Sequence, residues 1–206
     1  MRTPTVTAEE DIAVRAKELL HSLQHPAAAP FLADWPNVYR RREIAAARLP
    51  VMRWLTELDA DAAVFGADLV AAVRRAAPLL AWRQTYTSKD LDPAFLHNYG
   101  WSEIVGAAGP FESDRIACGF LILGPSTFYP PHRHAAEELY VPLSGTAAWQ
   151  QGDAVWRDLP PGTPIHHRSE EPHAMRTGAG PLLALYVWRG AGLARKARLD
   201  AAGPPA

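Results

Sequence analysis

Two histidines two residues apart, with a glutamate four residues further on, constrain this chain more than any other feature. They stand in Tyr129-Pro-Pro-His-Arg-His-Ala-Ala-Glu-Glu-Leu-Tyr-Val-Pro-Leu-Ser-Gly145. On an extended strand His132 and His134 point to the same face. Glu138 and Tyr140 share that parity, although a turn through Ala135-Ala136 would break the alternation. Two imidazoles, a carboxylate and a phenol on one side offer neutral nitrogen and anionic oxygen to a divalent metal ion, with a position left open. The competing reading is the polar outer face of a sheet. The tight His-x-His-x3-Glu spacing, with Gly145 beyond it, favours the metal.

This pattern resembles the first motif of the cupin superfamily, where His-x-His, a Glu and a later Gly sit on a small β-barrel. That family's glycine six residues before the first His is Ser126 here, with Gly124 nearby.

The rest of the chain divides near residue 100. Thr7-Ala-Glu-Glu10 reads as a capping box opening a helix over residues 7–24, with Ile12, Ala16, Leu19, Leu20 and Leu23 at helical spacing. Pro26 and Pro30 are expected to end it. Pro36 opens a second helix to Ala47, Pro50 a third, and residues 61–77 form a fourth that stops near Pro78. The Arg40-Arg41-Arg42 run reads as a solvated face. From Trp101 the pattern changes to short strand-like runs: 116–123, 139–141, 146–150, 154–156 and 182–188. Gly and Pro turns punctuate them, as in an antiparallel barrel or jelly roll. The expected fold is therefore mainly β with an α-helical N-terminal part, a cupin (jelly-roll) β-barrel preceded by a helical region. Residues 1–100 form the helical part packing on the barrel, 101–195 the barrel and 196–206 a flexible tail.

A barrel site collects groups from several strands, so a further ligand is expected downstream, where His166, His167 and His173 compete. The segment 159–177 resembles the second cupin motif, a Pro-x-Gly turn followed by a His. The phrase Pro172-His173-Ala174 favours His173, with His167 second. That motif's later Asn is Thr177 here. His21, His25 and His97 lie outside the pattern.

A fuller resemblance is to the cupin-type dimethylsulfoniopropionate (DMSP) lyases of bacteria. It runs through Trp82-Arg-Gln-Thr-Tyr86, Phe95-Leu-His-Asn-Tyr-Gly100, Tyr129-Pro-Pro-His-Arg-His134, Glu138-Leu-Tyr140, Pro172-His-Ala-Met-Arg-Thr177 and Tyr186-Val-Trp188. The resemblance implies a β-elimination yielding dimethyl sulfide, acrylate and a proton. It also implies one divalent ion (Zn, Fe(II), Mn, Co or Ni) on His132, His134, Glu138 and His173, acting as a Lewis acid on the substrate carboxylate. Tyr129, Tyr186 and Trp188 are candidate aromatic faces for the sulfonium, with barrel-core packing the alternative for Tyr186. The family's base is a tyrosine near the metal. Tyr140, two residues beyond Glu138, is expected to fill that role, and Tyr129 to close over substrate or act as base in its place. Residues 82–99 are expected to help cover the barrel mouth, a dimer interface being the alternative use of the helical half.

Two other classes keep the same ligands: another metal cupin (a dioxygenase or isomerase), and a non-catalytic small-molecule binder. Net charge −1 provides no field for nucleic acid or an anionic membrane. The single Cys118 excludes an intrachain disulfide. No apolar run reaches transmembrane length and no basic-then-apolar leader opens the chain, so a cytoplasmic protein acting on a small molecule, with a homodimer as the candidate oligomer, is the expectation.

Overall fold

A computed structural model describes residues 6–58 and 64–200. Helix α1 (Ala8–Ser22) starts where Thr7 accepts a hydrogen bond from the Glu10 amide, the hydroxyl half of the expected capping box. It buries Ile12, Ala13, Ala16, Leu19 and Leu20. Helix α2 (Ala28–Ala33) was not foreseen: Pro30 sits in its first turn, where a missing N–H costs no intrahelical bond. The helix expected from Pro36 to Ala47 is not there. That segment is extended, because tertiary partners claim its backbone: Arg42 donates to Pro110, Arg40 accepts from Glu112 and Ala47 accepts from Trp82. Pro50–Leu55 forms a 3-10 helix. Helix α3 (Ala67–Ala76) is the C-terminal part of the expected fourth helix, and residues 59–63 lie outside the described residues. A short α4 (Pro93–His97), capped by Asp92, precedes the sheets. No described helix is long and apolar enough to cross a membrane.

Ten strands follow: β1 (Tyr99–Val105), β2 (Ile116–Leu123), β3 (Phe128–Arg133), β4 (Ala136–Ser144), β5 (Ala147–Gln151), β6 (Arg157–Leu159), β7 (Ile165–His167), β8 (His173–Thr177), β9 (Leu182–Gly190) and β10 (Arg198–Leu199). They form two five-stranded antiparallel sheets, ordered β1-β2-β9-β4-β7 and β10-β3-β8-β5-β6. Strands β2 to β9 follow jelly-roll order, alternating between the sheets except at the β5–β6 hairpin, with β1 and β10 added at one edge of each. The expected fold class is observed, as two sheets rather than one continuously hydrogen-bonded barrel. The strand expected at 154–156 is instead irregular backbone after a turn at Gly152-Asp153, with Val155 exposed, and β6 begins at Arg157. Of the tail expected to be flexible, Arg198 and Leu199 pair with β3 and Asp200 takes a bidentate ion pair from Arg133. Residues 201–206 lie outside the described residues.

Side-chain alternation divides the first sheet's two faces between two cores. Phe120 and Ile122 of β2, Leu139, Val141 and Leu143 of β4, and Leu183, Leu185 and Val187 of β9 bury against α1, α2 and α3. Leu121, Tyr140, Ala184 and Tyr186, one residue out of phase, face the second sheet. This is why these strands read as unbroken apolar runs. Arg189 ties the layers together by pairing with Asp34 after α2 and Glu137 on β4. Two turns carry close backbone geometry. Gly145 has φ 81, and a side chain there would collide with the Pro181 carbonyl. Ser126 stands where the resembling family has glycine, and it keeps a left-handed φ of 51. Thr177, in place of that family's asparagine, accepts from the Thr127 amide and donates to the Gly124 carbonyl, so it clamps the same turn.

Candidate active site

A cavity of about 330 Å³ lies between the sheets. The parity expectation needs one correction: His132, His134 and Glu138 do not share a strand. His132 is on β3 in the second sheet, His134 in the connection, and Glu138 on β4 in the first sheet. The chain turns at Ala135, and the two sheets bring the groups face to face. Glu138 and Tyr140 do share one face of β4. His173 enters from β8, directly opposite His132 in the ladder.

His134, Glu138 and His173 are buried and each turns one donor atom inward, all within 4.8 Å of one another. His134 Nε2 lies 3.0 Å from Glu138 Oε2, and His173 Nε2 lies 3.3 Å from the same oxygen. Each of the three histidines has its Nδ1 on a backbone carbonyl at 2.9 Å: His132 on Pro130, His134 on Ala136, His173 on Glu171. If each Nδ1 carries the proton, every Nε2 is left with a lone pair. His173 Nε2 is buried without a hydrogen bond. His134 can donate from Nε2 to Glu138 only as an imidazolium. Burial alone would lower its pKa, but the charge and hydrogen bond of Glu138 outweigh that and raise it. Burial likewise pushes Glu138 up, yet the two histidines hold it well below the usual carboxylate range. A divalent cation would take the place of that proton and satisfy the orphaned nitrogen, so the donor set fits one. His132 stands outside the three-atom group, although its ring centroid is 4.2 Å from that of His173 and it lines the cavity. Burial, then His173, keeps it neutral by lowering its pKa well below normal.

Of the competing histidines, His166 turns to the other face, 2.8 Å from Glu137. His167 is buried across from Glu138 and stacks on His173 at 4.0 Å, with Nδ1 accepting from Gln151. Its Nε2, like that of His173, is buried without a hydrogen bond, but it stands outside the three-atom group. His97 ends α4, and His21 and His25 lie in or beside α1.

The aromatic residues divide in a way the sequence did not reveal. Trp188 Nε1 donates to Glu138 Oε1 at 2.6 Å, and its ring stacks on His134 at 4.0 Å. It therefore orients two of the three donors besides lining the cavity. Tyr129 stacks on His132 at 3.9 Å, and its hydroxyl is 3.1 Å from that of Tyr86. Tyr140 also lines the cavity, next to Glu138. Burial, then the Glu138 charge, pushes its pKa well above the ordinary phenol value. Tyr186 sits between Tyr140 and Trp188, with centroids 6.5 and 6.3 Å away.

Helices α1, α2 and α3 lie on the outer face of the first sheet, away from the cavity. Thr85 and Tyr99, within the 82–99 stretch expected at the mouth, do line it. So do Leu193 to Ala197, which sequence reasoning missed; Lys196 there pairs with Asp90 at 2.9 Å and lies over the Tyr86 ring. Trp101 and Glu103 were also missed. Their strand parity was the only available signal.

Residues 32–184 match the DMSP lyase (dimethylsulfoniopropionate lyase) family model. Dimethylsulfoniopropionate lyase DddQ of Ruegeria pomeroyi is 33% identical over 177 residues, covering 84% of this chain and 85% of that protein. A putative dimethylsulfoniopropionate lyase DddL of Cereibacter sphaeroides is 36% identical over 121 residues, 58% of this chain and half of that relative. The crystal structure of DddQ from Ruegeria pomeroyi DSS-3 superposes with TM-score 0.78 at 31% identity, covering 91% of this chain and 96% of that one. A structure solved in work on the DMSP lyases RdDddP and RnDddQII gives TM-score 0.85 at 33% identity, with 94% and 98% covered. On the family match, the relatives and the shared fold, this chain belongs to the dimethylsulfoniopropionate lyase family.

Proposed function

We propose that this carbon–sulfur lyase cleaves dimethylsulfoniopropionate to dimethyl sulfide and acrylate by a β-elimination that depends on one divalent ion. The observation that carries the reading is the convergence of His134, Glu138 and His173, with Glu138 opening into the cavity that Tyr140 and His132 also line. His134, Glu138 and His173 would hold the ion, with His132 beside them as the fourth donor. When bound, it supplies Lewis-acid chemistry, drawing charge from the substrate carboxylate and favouring the Tyr140 phenolate. Its identity among Zn, Fe(II), Mn, Co and Ni is left open by this donor set.

The protein's own residues do the rest. Tyr140 takes the proton from the carbon next to the carboxylate. That C–H pair becomes the C=C bond, the C–S bond breaks, and sulfur leaves with its bonding pair as neutral dimethyl sulfide. The surroundings that hold the Tyr140 proton tightly also make its phenolate a strong base, as a carbon acid requires. Tyr129, tied to Tyr86, is less free to exchange a proton and acts as a wall beside His132. Tyr186 and Trp188 offer aromatic faces to the departing sulfonium, each worth roughly 0.5–2 kcal/mol.

Headspace dimethyl sulfide from purified protein and DMSP tests the reading, with and without a chelator and with air excluded. Turnover that is abolished by chelation, restored by metal and indifferent to oxygen is expected. Dimethyl sulfide release unaffected by complete metal removal would overturn the metal-dependent mechanism, and a strict oxygen requirement would point to the dioxygenase class instead.

A further inference from the structure

One buried carboxylate in the cavity has no part in the chemistry above. Glu103 on β1 is 7% exposed and lines the same cavity as Glu138, Tyr140 and Trp188. Its Oε1 accepts from the amides of Ala108 at 2.6 Å and Gly109 at 3.0 Å, which fixes the side chain. Oε2 has no hydrogen-bond partner, and the group makes no ion pair among the described residues. Arg42 is close by but donates to the carbonyls of Gly106, Ala107 and Gly109, so it braces the turn that holds Glu103.

The ladder sets the direction of this carboxylate. Glu103 pairs with Gly119, Gly119 with Tyr186, and Tyr186 with Tyr140, one row across four strands. Residues in one row share a face, so Glu103 points to the side that carries Tyr186 and Tyr140. Gly119 places no side chain between Glu103 and Tyr186, two strand spacings or about 10 Å apart along the backbone. Burial holds the Glu103 carboxyl up to about 7 against the pull of its two amide donors and of Arg42 and Arg83. A carboxylate in that position gains from any cation that joins it.

We propose that Glu103 is the counter-charge that selects a cationic tail on the substrate, reading the sulfonium from the face of the first sheet that carries Tyr186. The inference rests on the lyase reading for the identity of that cation. The aromatic faces of Tyr186 and Trp188 tolerate a cation, while a fixed anion discriminates between a charged tail and a neutral one of the same shape.

Calorimetric titration of metal-loaded wild type and Glu103→Gln with two carboxylic acids separates the roles. One is 3-(trimethylammonio)propanoate, with a cationic tail; the other is 4-methylpentanoate, the neutral carbon counterpart of DMSP. Gln keeps an oxygen for both amides, so the turn stays anchored. The cationic ligand should weaken by roughly 10- to 30-fold, as expected for charges about 8 Å apart at intermediate dielectric. The neutral acid should bind as before, and Glu103→Asp should restore part of the preference. With DMSP, the loss in kcat/KM should fall mainly on KM. Equal weakening of both ligands would make Glu103 a structural anchor and overturn the proposal, as would no weakening of either, or wild type binding neither acid. Wild-type turnover decides the lyase reading separately: a protein that prefers the cationic acid through Glu103 yet releases no dimethyl sulfide refutes the reaction and leaves the selectivity standing.

Discussion

Trp188→Phe isolates one hydrogen bond at the proposed metal site. The indole N–H donates to Glu138 Oε1 at 2.6 Å, while the other carboxylate oxygen faces the two histidines. Phe keeps an aromatic ring to stack on His134, where the centroids are 4.0 Å apart and the planes 27° from parallel. What disappears is a donor to a buried anion, an interaction of about 1.5–3 kcal/mol. If that energy is spent on holding the carboxylate ready for the ion, metal affinity should fall roughly 10- to 150-fold. Loss of hydrogen-bonded partners behind metal ligands elsewhere costs about 10–100-fold, the same range. Competition between stripped protein and a fluorescent chelator gives both dissociation constants, and near-UV circular dichroism checks that the packing survives. An intact variant that binds metal within about twofold of wild type would show that Trp188 does not organise Glu138.

Three further outcomes follow from the same geometry. His134→Ala and His173→Ala should each lose most bound metal by elemental analysis while His167→Ala, which removes only the ring stacked behind His173, retains it; full occupancy in the first two would rule out the site. Tyr140→Phe should lower turnover by about 10²–10⁴-fold with metal retained, and Tyr129→Phe should act more mildly; the reverse ranking in a dimethyl sulfide assay would exchange their roles. The Glu103 carboxyl is raised from 4.5 to about 7, so the folded state binds its proton more tightly than the unfolded chain does. That contribution is complete below pH 4.5 and is lost as pH rises through 7, on the order of 1–3 kcal/mol. Denaturant melts of wild type should therefore lose stability relative to Glu103→Gln across that window, and parallel curves would show that Glu103 ionises normally.

What the sequence revealed and concealed has physical causes. Residues 116–123 and 182–188 were legible as strands because both faces are buried, so every position is apolar. Strands β3 and β8 were hidden because they carry the site: Pro130, Pro131 and His132 in one and His173 and Arg176 in the other replace the expected alternation. The His-x-His-x3-Glu spacing spans a sheet-to-sheet crossing and not one strand, so the groups it links meet by a geometry that strand parity does not give. The helix expected over 36–47 failed because backbone partners at Pro110, Glu112 and Trp82 lie far along the chain. In sequence Arg42 reads with its neighbours as a solvated face; only the folded turn at 106–109 supplies the carbonyls that occupy it. Glu103 and the Trp188–Glu138 bond depend on register across strands, which no single segment encodes.

Because Glu138 hangs from one sheet and His173 from the other, an ion gripping both is a strut spanning the sandwich. The unfolded chain has no such grip, so the folded form alone gains from the ion, by about 4 kcal/mol at a thousandfold excess over Kd. Removing such an ion would then act on the fold as well as on the site. The sheet clad by α1, α2 and α3 would keep its backing, while the second sheet would lose its brace. Resistance to heat and to proteases would track the free metal concentration, and the stripped enzyme would come apart first along the seam where its chemistry is done.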